Sequence, residues 1–249
     1  PDYFILCTPS NLHYKHLKLI CDNFSNKTIL CEKPLFLKNK KFNSKSNKIF
    51  VGYNLRFHPL IIKIKKLFNK KKVDQVNIYC STNVLNWRKT RKNYIPYSLS
   101  QARSGGVLFD LSHEIDYFTW IFGMIKHEKI IYKRNTMNQK IKSKDSFYLS
   151  GKNDCCKEIT ISLNFASKKE VRFIEIYYKN KKYVGNLKDN FLAVKKKNQL
   201  INKIYFKNFK IIDTFKAQIK DIFLSRKSKE SCNFNEAIKL TQKLAELSL

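Results

Sequence analysis

The first 60 residues alternate short apolar runs with one amphipathic stretch. Residues 3–8, 27–31 and 49–54 are short and largely apolar, which is typical of buried strands in a parallel sheet. Residues 11–24 carry apolar side chains at helical spacing, with Asn11 as the expected N-cap. Because a strand, a helix and a second strand follow one another through short connections, this segment predicts a βαβ unit.

From about residue 59 the pattern changes. Pro59 stands where a helix over residues 60–69 should begin. Residues 73–82, 159–165 and 171–178 alternate apolar with polar positions, which indicates strands that bury one face. This part of the chain therefore predicts a mainly antiparallel sheet accompanied by helices.

Two more helices are expected in the second part. Residues 107–122 carry an apolar stripe and predict one continuous helix, which Gly123 is well placed to end. Residues 234–249 predict an amphipathic helix at the end of the chain. The pattern as a whole predicts an α/β segment followed by an α+β segment, in a chain of 249 residues.

Composition narrows the classes of partner. The formal net charge is +31, but only seven of the 50 basic residues are Arg and the lysines are spread along the whole length. Readers of nucleic-acid sequence depend on Arg, so the charge predicts weak attraction to polyanions and no specific nucleic acid. The seven Cys form no C-x-x-C pair, which favours reduced thiols and no metal site. No apolar run reaches the roughly 20 residues that span a bilayer, so we expect a cytoplasmic protein.

Three polar clusters follow or open predicted elements. The first joins Thr8, Pro9 and His13 with Glu32 and Lys33, at the ends of two strands. Ligands of open parallel sheets bind beyond the carboxyl ends of the strands, where a carboxylate can hold a ribose hydroxyl and a lysine can act as acid or base. The alternative is an ordinary polar junction between strand and loop.

The second cluster contains Asn54 and Arg56, which point the same way if this segment is extended and can then face a ligand. The alternative is a structural turn with Arg56 in a surface ion pair. In the third cluster Asp110, His113 and Asp116 recur every three residues on the predicted helix. A histidine between two carboxylates is suited to proton transfer, and the alternative is a histidine buried for structural reasons.

Taken together, the motifs resemble one known family. The matching pieces are CTPSNLH (7–13), CEKPL (31–35), GYNLRFHP (52–59) and GGVLFDLSHEIDY (105–117), with Trp87, Arg88 and Tyr97 between the last two. Their identity, order and spacing resemble the glucose-fructose oxidoreductase/inositol dehydrogenase/MocA family. The resemblance is strong over residues 1–123 and only architectural beyond them.

The resemblance implies a fold and an activity. Residues 1–58 would be the C-terminal part of a Rossmann NAD(P)-binding domain, and residues 59–249 an open antiparallel sheet domain for substrate binding and oligomerisation. The activity would be hydride transfer between NAD or NADP and a carbinol carbon of a sugar, polyol or nucleotide-sugar, as in surface polysaccharide metabolism. A homo-oligomer is also implied.

The resemblance further assigns roles to residues. Lys33 and His113 would be catalytic, with Asp110 as a weaker third member. The cofactor would be bound by Thr8, Pro9, His13, Glu32, Lys33, Asn54 and Arg56. The substrate would be contacted by Trp87, Arg88 and Tyr97.

Two features depart from the family pattern. Many members carry Asp four residues before the histidine, where this chain has Phe109. None of the six glycines forms the Gly-x-Gly-x-x-Gly turn that approaches a pyrophosphate. We therefore expect an N-terminal truncation of about 70 residues, judged from the usual size of βαβ units, and an exposed sheet edge. The absent turn also supports an alternative function, a non-catalytic remnant or binding subunit of the same fold.

Overall fold

The computed structural model describes residues 1–87, 97–134, 142–225 and 228–248. Its strands form one small sheet and one large sheet, with helices packed between and beside them. This is the α/β plus α+β architecture that the apolar pattern predicts. Within the described ranges, no helix is long and apolar enough to cross a bilayer.

The small sheet contains the predicted βαβ unit. Strand β1 (Tyr3–Leu6) pairs in parallel with β2 (Thr28–Cys31), and β2 pairs in parallel with β3 (Lys48–Val51). Helix α1 (His13–Asn23) connects the first two strands and buries Leu17 and Cys21 on its inner face. Its first turn differs from the prediction, because residues 10–12 form a 3₁₀ turn and Asn11 makes no capping hydrogen bond.

The large sheet has eight strands among the described residues, in the order β11-β10-β9-β8-β4-β7-β6-β5. Neighbouring strands are antiparallel except β4 and β7, which are parallel. The strands are β4 (Val73–Asn83), β5 (His127–Arg134), β6 (Ser146–Lys152), β7 (Cys156–Asn164), β8 (Ala166–Tyr178), β9 (Lys181–Asn186), β10 (Phe191–Lys196) and β11 (Gln199–Tyr205).

The helices of the second part pack around these sheets. They are α2 (Pro59–Phe68), α3 (Gln101–Ser104), α4 (Val107–Asp110), α5 (His113–Phe122), α6 (Ile211–Ile219) and α7 (Phe234–Ser248), with a π-helical turn over Lys220–Leu224. Pro59 begins α2 as predicted, and Gly123 ends α5 with φ 89°. Helix α5 packs on α2 and β7, and its apolar face is buried in the main core.

The predicted continuous helix over residues 107–122 is wrong in one respect. The chain forms two helices, α4 and α5, with Leu111 and Ser112 between them. The amide of Glu114 donates to the carbonyl of Leu111 at 3.3 Å rather than to that of Asp110. Apolar side chains continue at helical spacing across this break, so the pattern alone does not reveal it.

The last elements return to the small sheet. Strand β12 (Cys232–Asn233) pairs antiparallel with β3, and α7 then packs against β3 and α4. The small sheet thus includes residues far beyond the predicted boundary at residue 58. At its other side β1 is the edge strand, and Tyr3 and Ile5 are each 56% exposed.

Candidate active site

The carboxyl end of β2 carries Glu32 and Lys33. The Glu32 amide continues the sheet by donating to the Leu6 carbonyl at 2.9 Å, and the Lys33 amide donates to the Glu32 Oε2 at 3.3 Å. A Cβ on Gly52, which follows β3, would lie 3.1 Å from the same Oε2. Because Gly52 has no Cβ, it leaves space for the Glu32 carboxylate.

The ammonium group of Lys33 donates a hydrogen bond to the backbone carbonyl of Asp110. That carbonyl is available because the break between α4 and α5 moves the Glu114 amide to Leu111. Burial lowers the pKa of Lys33, against the opposing effects of Asp110 and Glu32. The helix break thus positions a lysine that releases its proton more readily than a lysine in water.

His113 is the first residue of α5 and lies partly buried beside Lys33. Burial, followed by the positive charges of Lys33 and Arg172, holds the pKa of His113 well below 6.5. Its Nδ1 is buried and meets no hydrogen-bond partner among the residues that the structure describes. The edge of the ring contacts Tyr53, with centroids 5.7 Å apart. His113 is therefore a neutral imidazole.

The predicted arrangement of His113 between two carboxylates is wrong. Asp116 is turned to Arg56, whose Nη2 and Nε donate to it at 2.7 and 3.0 Å. Arg56 also donates to Glu236 at 2.9 Å, and its side chain is only 3% exposed. Because α5 advances about 100° per residue, Asp116 and His113 need not share a target.

The expectation that Asn54 and Arg56 face a ligand together is also not met. The segment Asn54–Phe57 is a 3₁₀ helix rather than an extended strand end. Asn54 donates to the Thr214 hydroxyl at 2.7 Å, which ties it to α6, whereas Arg56 joins α5 to α7. Both side chains are buried and act as links between elements.

The loop after β1 is organised by His13, which is fully buried. Its Nδ1 lies 2.8 Å from the Pro34 carbonyl and its Nε2 lies 2.8 Å from the Thr8 carbonyl. Thr8 also hydrogen-bonds through its hydroxyl to the His16 ring at 3.1 Å, and the carbonyl of Pro9 accepts from the first turn. His13 thus joins the loops after β1 and β2, and its ring is used for this contact rather than turned to a ligand.

A cleft of about 310 Å³ is lined in part by Arg172, whose charge acts on Lys33 and His113. It lies between the end of β4, the start of β8 and the helix break at Leu111, and Trp87 forms one wall. The Trp87 Nε1 donates to the Thr82 hydroxyl at 3.0 Å, and the ring packs edge-on against Phe165. Arg88 and the side chain of Tyr97 lie outside the described residues.

A larger groove of about 680 Å³ lies at the opposite end of β4, between Tyr177, Lys182 and Lys195. Five of its twelve lining residues are lysines, and none of the twelve is among the charges that act on Lys33 or His113. Among the described residues no cluster of metal-ligating side chains forms. The smaller cleft is lined by Arg172, whose charge acts on both Lys33 and His113, and it is therefore the candidate substrate side of the active site.

Sequence reasoning missed Arg172, which lines the cleft from β8. Its Nε donates to the Glu114 Oε1 at 2.6 Å and its Nη2 to the Oε2 at 3.0 Å. Burial lowers the pKa of Arg172, but the Glu114 carboxylate outweighs it and raises that pKa above the ordinary value. The scarcity of arginine was a usable signal, although nothing in the sequence pairs residues that lie 58 positions apart.

His58 belongs to the motif GYNLRFHP (52–59), and the structure shows that it also lines the cleft. Its Nδ1 accepts from the Leu60 amide at 3.2 Å and caps α2, so its Nε2 carries the proton and donates to Asn190 Oδ1 at 3.1 Å. Burial is the main cause that lowers the pKa of His58 to about 4. The residue is a neutral cap near neutral pH.

Comparison with known proteins gives an independent view. Residues 69–189 match the family described as the oxidoreductase family, C-terminal alpha/beta domain (GFO_IDH_MocA). An inositol 2-dehydrogenase from Rhizobium meliloti (strain 1021) is 25% identical over 130 residues, which are 49% of this chain and only 37% of that protein.

Solved structures share the fold at low identity. Levoglucosan dehydrogenase in complex with NADH and levoglucosan superposes with a TM-score of 0.82 at 15% identity, covering 99% of this chain and 77% of that one. A super-repressor mutant of Gal80p from Saccharomyces cerevisiae gives 0.80 at 11% identity, with 99% and 76% covered. The matched segment, the shared fold and the clustered motifs agree, and the chain is similar to the glucose-fructose oxidoreductase/inositol dehydrogenase/MocA family of oxidoreductases.

Proposed function

We propose that the protein is an NAD(P)-dependent oxidoreductase that moves a hydride between nicotinamide and a carbinol carbon of a sugar, polyol or nucleotide-sugar. The observation that carries the proposal is the proximity of Lys33, at the carboxyl end of β2, to His113, with the charge of the cleft residue Arg172 acting on both. Burial chiefly lowers the pKa of both groups, which favours the neutral imidazole of His113 and eases formation of the amine form of Lys33.

The residues present fit the nicotinamide end of the cofactor. Glu32 lies at a strand end with its carboxylate beside Gly52, where it can accept hydrogen bonds from ribose hydroxyls. The loop of Thr8 and Pro9, clipped by His13, borders the same edge of the sheet. The chain contains no glycine-rich turn for the phosphates. When bound, the cofactor would accept or return the hydride.

The chain's own contribution is the proton. A carbinol loses hydride from carbon only as its hydroxyl proton leaves, so a base must reach that oxygen. In our proposal the substrate hydroxyl hydrogen-bonds to the neutral ring of His113. Lys33, held by the Asp110 carbonyl, takes the proton in its amine form and returns it during reduction.

Substrate binding is assigned to the cleft. Trp87 offers an aromatic face for the apolar side of a sugar ring, and Arg88 and Tyr97 are retained as further substrate contacts. Asp110 contributes through its carbonyl, which fixes Lys33. We do not propose Asn54 and Arg56 as cofactor ligands, because their polar atoms form hydrogen bonds within the core.

We further propose that residues 1–58 form the nicotinamide side of a dinucleotide-binding domain and residues 59–249 the substrate and oligomerisation part. Strand β12 and helix α7 return to the first sheet and complete its packing. The large sheet is the surface through which a homo-oligomer would form.

One observation favours a second candidate. The Gal80p structure titled a super-repressor mutant has the same fold, so this architecture is also found in a protein with that description. A non-catalytic binding subunit would bind a small molecule without turning it over. Retention of both Lys33 and His113 supports the enzyme instead.

The test is cofactor binding followed by turnover. The natural full-length protein is titrated with NADH and NADPH by fluorescence, and cofactor reduction is then followed with a panel of sugars and polyols. We expect binding together with sugar-dependent reduction. Lys33→Met should abolish most of the reduction, whereas Lys18→Met, on an exposed face of α1, should not. Cofactor or sugar binding without turnover would favour the binding subunit, and a folded protein that binds neither cofactor would refute the oxidoreductase.

A further inference from the structure

The wall of the cleft contains an ion pair in which only the cationic partner is exposed to the cleft. Glu114 is fully buried behind Arg172, whereas the Arg172 side chain is 27% exposed and lines the cleft. The carboxylate thus has no route to the cleft. A molecule entering it meets the positive end of the pair.

The guanidinium has donors to spare. Arginine carries five N–H groups in a planar fork, and two of its nitrogens, Nε and Nη2, are used on Glu114. The other edge, formed by Nη1 and Nη2, has the spacing that binds a second carboxylate with two parallel hydrogen bonds. Such an edge would be poorly used by a single neutral hydroxyl.

The position of this edge relates it to the reacting groups. Arg172 is near enough to Lys33 and His113 to lower the pKa of both. At the rim Lys188 adds a second cation, and its ammonium donates to the carbonyl of Glu170 at 3.3 Å. Glu170 is exposed at this rim. The inner wall therefore carries the positive charge of Arg172, whereas the rim carries both a positive and a negative charge.

We propose, on the basis of the proposed function, that Arg172 binds a carboxylate carried by the substrate, and that the substrate is a sugar acid rather than a neutral sugar. The acid group lies against the free edge of the guanidinium while the carbinol faces Lys33 and His113. Arg172 is in this view a specificity-determining residue, held in place by Glu114.

The experiment compares matched substrates. Rates of NAD(P) reduction by the full-length protein are measured with D-glucose and D-glucuronate, D-galactose and D-galacturonate, the UDP-linked forms of each pair, and the corresponding sugar phosphates. We expect kcat/KM to favour the uronate by about 10- to 100-fold, the usual effect of hydrogen bonds to a charged group. Arg172→Lys keeps a charge for Glu114 but loses the fork, so it should reduce this preference to below about tenfold. Arg103→Lys, an exposed arginine on α3, should leave it unchanged.

The outcomes are separable. Equal or better use of the neutral sugars, or a preference that persists in Arg172→Lys, overturns the inference while the oxidoreductase stands. Preference for the sugar phosphates overturns the assignment to a carboxylate. Absence of both cofactor binding and turnover with every substrate overturns the proposed function, and the inference fails with it. If Arg172→Lys does not fold, the ratio of uronate to neutral sugar in the unmodified protein decides.

Discussion

Two carboxylates of helix α5 each pair with an arginine from another element, and the two pairs differ in the exposure of the arginine. Asp116 binds Arg56 and Glu114 binds Arg172, and each arginine uses two nitrogens. Arg56 is 3% exposed and its remaining fork reaches Glu236, whereas Arg172 is 27% exposed and borders a cleft. The Arg56–Asp116 pair is thus surrounded by described residues, whereas the Arg172–Glu114 pair is exposed to the cleft through its arginine.

The difference separates a structural role from a functional one. Arg56 joins α5, α7 and the segment after β3, so its charge is used within the core. Arg172 has an unused edge, and its charge lowers the pKa of Lys33, His58 and His113. Two arginines from different elements, each paired with a carboxylate of α5, therefore differ in what lies beyond the guanidinium.

The largest effect on stability is expected from the Arg56–Asp116 pair. Asp116→Asn would leave the buried charge of Arg56 without its main partner, and we expect it to lower the free energy of unfolding by about 3–5 kcal/mol. Urea denaturation followed by circular dichroism measures this. Asp22→Asn, which breaks an exposed pair with Lys18 on α1, is the matched control and should cause no measurable change. A loss below 1 kcal/mol would show that the pair is not enclosed.

Acid should reveal the buried, neutral state of His58, which lines the same cleft as Arg172. Its pKa is about 4 in the folded protein and 6.5 when unfolded, so the unfolded chain binds the extra proton between these values. The contribution of the neutral His58 to the free energy of unfolding is therefore fully present above pH 6.5. It declines as the pH falls towards 4, by up to about 3 kcal/mol. His58→Asn keeps a side chain that can cap α2, and it should make unfolding less sensitive to acid in this window. Identical acid profiles for the two proteins would contradict the buried, neutral histidine.

The Arg172–Glu114 pair should tolerate neutralisation better. Glu114→Gln leaves Arg172 charged, but water in the cleft can solvate the guanidinium, so we expect a loss of only about 1–2 kcal/mol. The same urea titration gives the comparison with Asp116→Asn. A loss as large as that of Asp116→Asn would mean that Arg172 is as enclosed as Arg56.

Local patterns predicted most of the fold. The βαβ start, the alternating strands, Pro59 at the start of α2 and the amphipathic α7 all follow from spacing over fewer than twenty residues. The break between α4 and α5 did not, because it is accompanied by a contact far away in the sequence, in which Lys33 donates a hydrogen bond to the carbonyl of Asp110. The return of β12 to the small sheet is likewise a long-range pairing without a local signal.

The candidate site was predicted unevenly for the same reason. Glu32 and Lys33 lie at a strand end that the apolar pattern locates, whereas His113 falls inside the predicted continuous helix and only the motifs point to it. Arg56 and Asn54 carry equally suggestive side chains, but only tertiary contacts decide that they face the core. Arg172 was overlooked because its role comes from Glu114, on a different element.

The central claim is that Lys33 carries the proton during sugar oxidation, and its pH dependence tests this most directly. We would measure kcat/KM for oxidation against pH in the full-length protein and in Lys33→Met. The account predicts a rise in rate with a midpoint below the ordinary lysine value of 10.5, since burial lowers the pKa of Lys33 and His113 is already neutral. Lys33→Met should lose about 10²- to 10⁴-fold in rate and should also lose this rise. A variant that retains both the rate and the pH dependence of the unmodified protein would contradict the account.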